Sequence, residues 1–512
     1  MHRKKNYNCL FNHELLSLFT SQSPYQTYRE NVRDNQVTGY VKELEGTQVD
    51  VLMCCPLAWR TILWESQIDR RWQEEAPFEH EPLPEDDWKY NQKAYYRARR
   101  YMLQKKDPVG LTLQAAREIG IDFFISYRMN DNHYLYDKQL PTHGSFWRNH
   151  PQYWIEPEGS GTPFNYMINE VRDYYFGLLR ELAENYDIDG LELDFQRHPR
   201  FFPDNRVAEG IPVMNEFIRQ VRLMLNEIGD NRGKYLQLCV RVPERLSAGL
   251  KAGLDVEAWD REQLVDMINI SSSFKTTLEI GIEEFKSRIE HARIYGELHF
   301  VVHTGESRSV LGYVNNISRK TTREIYETAA LNYWNRGVDG LSFFNFNYTR
   351  DHSFHEARRK EFPGKEPPFQ LLRTICDREY LGRQQQHYYI GTGYGTFPAN
   401  DEAAFTVRLE TEGIFTQLKR AVLRVETFRE TLRVPVEAEF DGIPLKEIVG
   451  SGELFPPFSI EGLPTPEKVR YFELPLHLAK AGAHGVRLFN VTYPDPYKRI
   501  TFVSAEIALY TC

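Results

Sequence analysis

The feature that most restricts this chain is a series of short apolar runs, each followed by enough residues for a helix and its loops. They recur eight times: YNCLFN at 7–12, VDVLMCC at 49–55, IDFFISYR at 121–128, IDGLELDF at 188–195, YLQLCVRV at 235–242, LVDMINI at 264–270, ARIYGELHF at 292–300 and VDGLSFFNF at 338–346. Their length and their Val, Ile, Leu, Phe and Tyr content read as strands. Apolar residues spaced three to four apart predict helices among them at 167–186, 212–228, 279–290 and 322–336. Eight such units favour a closed (β/α)8 TIM barrel, class α/β, over an open doubly wound sheet whose edges would need cover. No GxGxxG follows the first run, which removes the main support for a dinucleotide fold.

The barrel is expected over residues 1–355, with insertions at about 60–108 and 129–165. Both stretches are too long and polar for plain turns, and such loops commonly roof a pocket. Residues 356–370 read as a linker. Residues 371–512 show period-two segments such as AAFTVRLE and ITFVSAEIALY, the pattern of an antiparallel β-sandwich accessory domain, with helix expected only around 408–420.

Lys plus Arg number 63 against 72 Asp plus Glu, a net charge of −9 without long basic blocks, so nucleic acid is not an expected partner. No apolar stretch suggests a membrane span. Of six cysteines, Cys9, Cys54, Cys55 and Cys239 lie in apolar runs and read as buried small hydrophobes. The MHRKKNYNCLF start lacks a secretory pattern, giving a cytoplasmic default, with a secreted or periplasmic location if a leader has been lost. An oligomer of identical chains is left open.

Candidate chemistry gathers at the C-terminal ends of the strands, where barrel enzymes place it. In DGLELDFQRH, alternation puts Gly190, Glu192, Asp194 and Gln196 on one side, and two close carboxylates push one of them toward holding a proton. Arg128 ends the third strand, with Asn130, Asp131 and His133 in the loop beyond. It suits a carboxylate clamp, or else a core ion pair with Glu192 or Asp194. His133 can move a proton near neutral pH if a carboxylate or carbonyl orients it. Asn12, His13 and Glu14 are expected at the mouth after the first strand, Arg197 and Arg200 after the fourth, Arg241 on the fifth, Glu297 on the seventh and Asn345 on the eighth. Neither HExxH nor GxSxG is present, so no metal and no cofactor are expected. Trp59, Trp64, Trp147 and Trp154 offer an alternative, a non-catalytic carbohydrate-binding surface.

FNHE at 11–14, SYRMNDNH at 126–133, DGLELDFQRHP at 189–199 and FFNFN at 343–347 resemble the family-10-like barrel glycoside hydrolases. In mechanism they are most similar to glycoside hydrolase family 156, the inverting exo-sialidases. The resemblance spans residues 8–350. It implies a glycan or glycoside substrate ending in an acidic, sialic-acid-like sugar. It places the catalytic acid on Glu14 and the water-activating base on His133, aided by Asp131 or Asp194. It also implies sugar-carboxylate arginines at Arg128 and Arg197 or Arg200, with Asn345 on a ring substituent. The family carries aspartate where Glu14 stands, and one methylene displaces an acid group by roughly 1.5 Å, enough to matter for chemistry. A retaining hydrolase using Asp194 and Glu297 is the alternative enzyme. DGLELDFQ also looks like the DGxDxDxE of family 18 chitinases, but Gln196 stands at the catalytic Glu and cannot donate a carboxylic proton.

Overall fold

The computed structural model describes residues 4–19, 32–74, 90–140, 142–159, 161–272, 275–303, 306–308, 314–316, 319–350, 366–391, 402–428, 435–450, 468–491 and 500–511. All eight apolar runs are parallel strands of one closed barrel: β1 Cys9–Glu14, β2 Val51–Cys55, β3 Asp122–Arg128, β4 Gly190–Asp194, β5 Gln237–Pro243, β6 Met267–Ser271, β7 Arg293–His299 and β8 Gly340–Phe344. Neighbours in sequence are neighbours in the ring, and β1 closes on β8 through Cys9, Leu10 and Phe11 against Leu341, Ser342 and Phe343. The four expected helices form at Asn169–Asn185, Val207–Arg232, Ile282–Arg288 and Arg323–Asn335. The long helix starts earlier than expected, at Val207, with Pro212 inside it, and it stops at Gly233, which adopts φ 67.

Inward-pointing side chains fill the barrel in tiers. The lowest is apolar: Leu10, Val51, Met53, Phe124, Cys239, Met267 and Tyr295, with Tyr7 beneath. Gly190 and Gly340 make room for it, since a Cβ would lie 2.5 Å from the Phe124 ring at one and 2.3 Å from the Tyr295 ring at the other. Next comes a polar tier in which Asn12 donates to Ser126 at 3.1 Å, Ser126 donates to Glu192 at 2.7 Å and Asn269 donates to Ser342 at 3.0 Å. Buried polar groups survive only when paired, so this tier fixes which rotamers the tier above can adopt.

Contacts divide the chain into two compact units. One comprises Met1–Ser273, Ile280–Glu297 and Gly337–Phe369; the other comprises Phe274–Glu279, Leu298–Arg336 and Gln370–Cys512. The second unit holds a five-stranded and a four-stranded antiparallel sheet. Strands such as Glu402–Leu409 and Gly482–Asn490 alternate buried and exposed residues, and Val407, Leu423, Phe440, Val486 and Ile507 join one core, a sandwich-like arrangement. Helix does not form at 408–420: the strand runs to Leu409, a single 3-10 turn occupies Phe415–Gln417, and the next strand starts at Arg420. Period-two burial outweighs the weak helical spacing there. The expected linker residues 356–365 lie outside the described residues, as do residues 75–89 within the first insertion. Among the described residues, no helix is long and apolar enough to cross a membrane.

Candidate active site

The top tier of the barrel is a run of charged side chains in mutual contact. Glu14, the last residue of β1, accepts from the Arg128 Nη2 and, at 2.9 Å, from the Tyr348 hydroxyl beyond β8. Arg128 ends β3 and donates its other terminal nitrogen to Asp131 at 3.2 Å. Burial works against its charge, but Glu14 and Asp131 together keep it firmly protonated. Arg128 therefore pairs with Glu14 and Asp131, rather than with Glu192 or Asp194 as a core arginine would have done.

Asp131 in turn orients His133. One carboxylate oxygen takes the His133 backbone N–H at 3.0 Å and the same oxygen contacts the ring Nδ1. On the far side of the ring, Arg197 donates to Nε2 at 2.5 Å. An arginine can only donate, so Nε2 carries the lone pair and Nδ1 the proton, a tautomer assigned from these partners. Burial first, then the Arg197 charge, lowers the His133 pKa from its ordinary 6.5, so the ring is a neutral base aimed by a carboxylate. Burial disfavours charge on Asp131, yet His133 and then Arg128 hold its carboxyl well below the usual range. Arg197, buried and next to Arg128, is brought down to about 10.

A second cluster lies across the barrel. Arg241 binds Glu297 through two nitrogens at 2.5 and 2.7 Å, Asp194 at 2.9 Å and Ser271 at 2.9 Å, with its guanidinium 3.7 Å from the Phe344 ring centre. Asp194 also accepts the Arg197 backbone N–H at 3.0 Å, which joins this cluster to the loop carrying Arg197. Just below, burial and then the Asp194 charge raise Glu192 from 4.5 to about 7. Glu192 is thus a carboxyl group in which burial and a neighbouring like charge favour the protonated form.

Several expected residues sit elsewhere. Arg200 turns outward to Glu156 at 2.6 Å and Asp204 at 3.4 Å, its side chain about a third exposed, so of the two candidates after β4 only Arg197 reaches the site. Asn130 is fully engaged, donating to the carbonyls of Phe164 and Arg200 at 2.9 and 2.8 Å and accepting from the Phe164 N–H, so it binds loops together rather than substrate. His13 alternates out of the barrel toward the Tyr40 ring, centroids 4.5 Å apart, and burial lowers it to about 3; period two would have placed it there. Trp64, Trp147 and Trp154 are at most 2% exposed and Trp59 is 7% exposed, and Trp147 stacks on Trp154. They build the loop core and present no face for a sugar in this conformation.

Two further groups enter the site. Tyr348 follows β8 beyond the FFNFN segment, and its contact with Glu14 spans 334 positions, so no local pattern signals it. His198 sits beside His133, ring centroids 4.8 Å apart, and burial together with Arg197 lowers it to about 3. Asp131, His133 and His198 bring three ligand atoms within 4.8 Å of one another. Their donor chemistry does not fit a cation: His133 is engaged at both ring nitrogens, one of them by Arg197, and His198 Nδ1 accepts the Asn132 N–H at 3.2 Å. A metal on that set would displace a guanidinium and face its charge.

Two further features gather at this end of the barrel. Buried Arg128 Nε, Asp194 Oδ2, Asn345 Oδ1 and Asn347 Oδ1 have no hydrogen-bond partner among the described residues. Non-glycine residues with positive φ cluster just past strand ends: Trp59 at 48° and Arg60 at 66° after β2, Tyr134 at 57° after β3, His198 at 62° after β4 and Asn345 at 54° after β8. Such strain persists only where surroundings enforce it and concentrates at functional sites.

No protein-family profile and no curated protein matches the chain. Among solved structures it is similar to a family 18 chitinase from Chromobacterium violaceum, with TM-score 0.41 and 10% identity over 95% of this chain and 89% of that one. It is also similar to the PgaB (BpsB) glycoside hydrolase domain of Bordetella bronchiseptica, at 0.38 and 9% over 70% and 100%. A third is a cycloisomaltooligosaccharide glucanotransferase of Paenibacillus, at 0.34 and 9% over 98% of this chain and 57% of that enzyme. No site residue is transferred from them.

Proposed function

We propose that this protein is a glycoside hydrolase that releases a terminal acidic sugar, sialic-acid-like in class, by an inverting mechanism. The observation that carries the reading is the unbroken contact chain Glu14–Arg128–Asp131–His133–Arg197, which sets an acid, an anion clamp and an oriented neutral base around one end of the barrel. Inversion needs a group that protonates the departing oxygen and another, on the opposite face of the sugar, that activates water. Glu14 fills the first role and His133 Nε2 the second. Asp131 holds the base in its useful tautomer and stabilises the imidazolium that forms.

Selectivity for acid sugars follows from Arg197. In the free enzyme it occupies the nitrogen that must accept the proton from water. A sugar carboxylate lying between Arg128 and Arg197 draws the guanidinium to itself by a bidentate, charge-assisted pair and uncovers Nε2. A neutral sugar leaves the base covered. Substrate charge thus acts on kcat as well as on binding.

The retaining alternative with Asp194 and Glu297 has less support. Asp194 and Glu297 are bound to the same guanidinium, Arg241, whereas His133 offers a base that Asp131 holds in one orientation. A sugar-binding role without catalysis loses its aromatic platform, since the tryptophans are buried.

The test is a matched pair of aryl glycosides that differ only in a carboxylate or its amide. Turnover of the acid, a fall in kcat of at least 100-fold for the amide, and first-formed product of inverted configuration by proton NMR are expected. Equal kcat for both, or retained configuration, overturns the assignment.

A further inference from the structure

Between the ends of β2 and β3 lies a cavity of about 20 Å3, lined among others by Arg60, Arg128, Asp131, Trp147, Phe164 and Tyr175. On that measure roughly 10–15 Å3 is the least that holds a single water, so the space fits one small species and excludes a sugar ring. Three arginines, Arg60, Arg71 and Arg128, line it against one carboxylate, Asp131. Arg71, another wall residue, is neutralised by Asp69 at 3.1 Å. Arg128 has Glu14, and both oxygens of Asp131 are taken by Arg128 and His133. Among the described residues, Arg60 has no carboxylate partner. It is 9% exposed, it donates to Asn130 across a long 3.4 Å, and its Nε has no hydrogen-bond partner among the described residues. The Tyr175 hydroxyl lies near its guanidinium, and the Trp147 and Phe164 rings sit 5.7 and 4.8 Å from it.

A lone buried cation is costly, and sequences rarely retain one without a counter-charge. The backbone adds to the expense. Arg60 and Trp59 are the two central residues of a tight turn between the paired segments Leu57–Ala58 and Thr61–Ile62, and both have positive φ. Turns of that form favour Asn-Gly, so a Trp-Arg pair is strained there. The strain delivers the Arg60 side chain to the cavity, across which Arg128 offers a second buried nitrogen without a partner among the described residues, its Nε.

We infer that this cavity is a binding site for one small monovalent anion, of the size and charge of chloride, held between Arg60 and Arg128. Such an ion supplies the charge that Arg60 lacks and accepts from both guanidinium groups, and the aromatic walls shield the pair from solvent. Polyatomic anions as large as sulfate exceed the space. The inference does not depend on the reaction proposed above, because binding can be read without any substrate.

Crystals of the full chain soaked in sodium bromide test it by anomalous diffraction. One bromide is expected within hydrogen-bond distance of Arg60 and Arg128. Bromide confined to the outer surface, a water in the cavity, or the carboxylate of an acidic sugar lodged there overturns it. In solution, chloride should raise the melting temperature above that in methanesulfonate of equal ionic strength, and Arg60→Met should abolish the difference. A halide-specific rise that persists in the folded variant contradicts the site. If Arg60→Met does not fold, the bromide position in the parent still decides.

Discussion

Glu192→Gln isolates the proton held beneath the site. Glu192 is 1% exposed; its carboxyl group accepts from the Ser126 hydroxyl at 2.7 Å and from the Asn269 Nδ2 at 3.4 Å. Because the folded-state pKa is raised from 4.5 to about 7, the folded chain keeps a proton that the unfolded chain releases within that interval. Stability from this group is therefore complete below the unfolded value and is lost as pH rises through the folded one. At 1.36 kcal/mol per pH unit the loss reaches about 3 kcal/mol by pH 8. Gln carries no such proton, so the variant should match the parent near pH 5 and exceed it by about that amount at pH 8. Urea denaturation followed by tryptophan fluorescence reports on the barrel unit, which holds every described tryptophan except Trp334. A difference between the two proteins that stays constant from pH 5 to 8, or that turns against Gln as pH rises, refutes the reasoning.

Arg241→Met removes one cation from two buried carboxylates and should cost roughly 3–5 kcal/mol, which the denaturation midpoint at pH 7 would show. Asp131→Asn should lower kcat by roughly 10^3- to 10^4-fold with an unchanged far-ultraviolet dichroism spectrum, because the amide no longer enforces the His133 tautomer. In the pH profile of kcat/KM, the limb that rises with pH should have its midpoint below 6.5, since the base must be neutral to act and its pKa is lowered; a midpoint above 6.5 assigns the limb to another group. Gly190→Ala should cost about 1–3 kcal/mol or more in midpoint stability, as its Cβ meets the Gln237 carbonyl oxygen at 2.4 Å.

The barrel was legible because each of its strands is a buried apolar run of limited length, a pattern that depends on local order alone. Period two also carried real information within β4: it placed Glu192 and Asp194 inside and Leu191 and Leu193 in the wall, as the hydrogen bonds of both carboxylates show. The loops were harder. Arg197 and Arg200 are three residues apart in a segment without regular structure, and the choice between them is made by Asp194 catching one backbone N–H and Glu156 catching the other side chain. Neither partner is visible as such in the sequence. The tryptophans misled for a similar reason: an indole in a long polar loop reads as exposed, but Trp147, Trp154 and Phe164 form a small core within the loop layer. Arg60 fell within a stretch read as an insertion, and only positive φ at both turn residues sets it apart.

The claim on which the functional account depends is that Arg128, Arg197 and His133 act on one substrate. A crystal structure with an unsaturated analogue of a sialic-acid-like sugar tests it most directly. The account predicts the analogue's carboxylate between Arg128 and Arg197, the Arg197–His133 contact broken, and His133 Nε2 facing the anomeric carbon across a water. An analogue bound elsewhere, or bound at the barrel mouth with Arg197 still on His133, would contradict it.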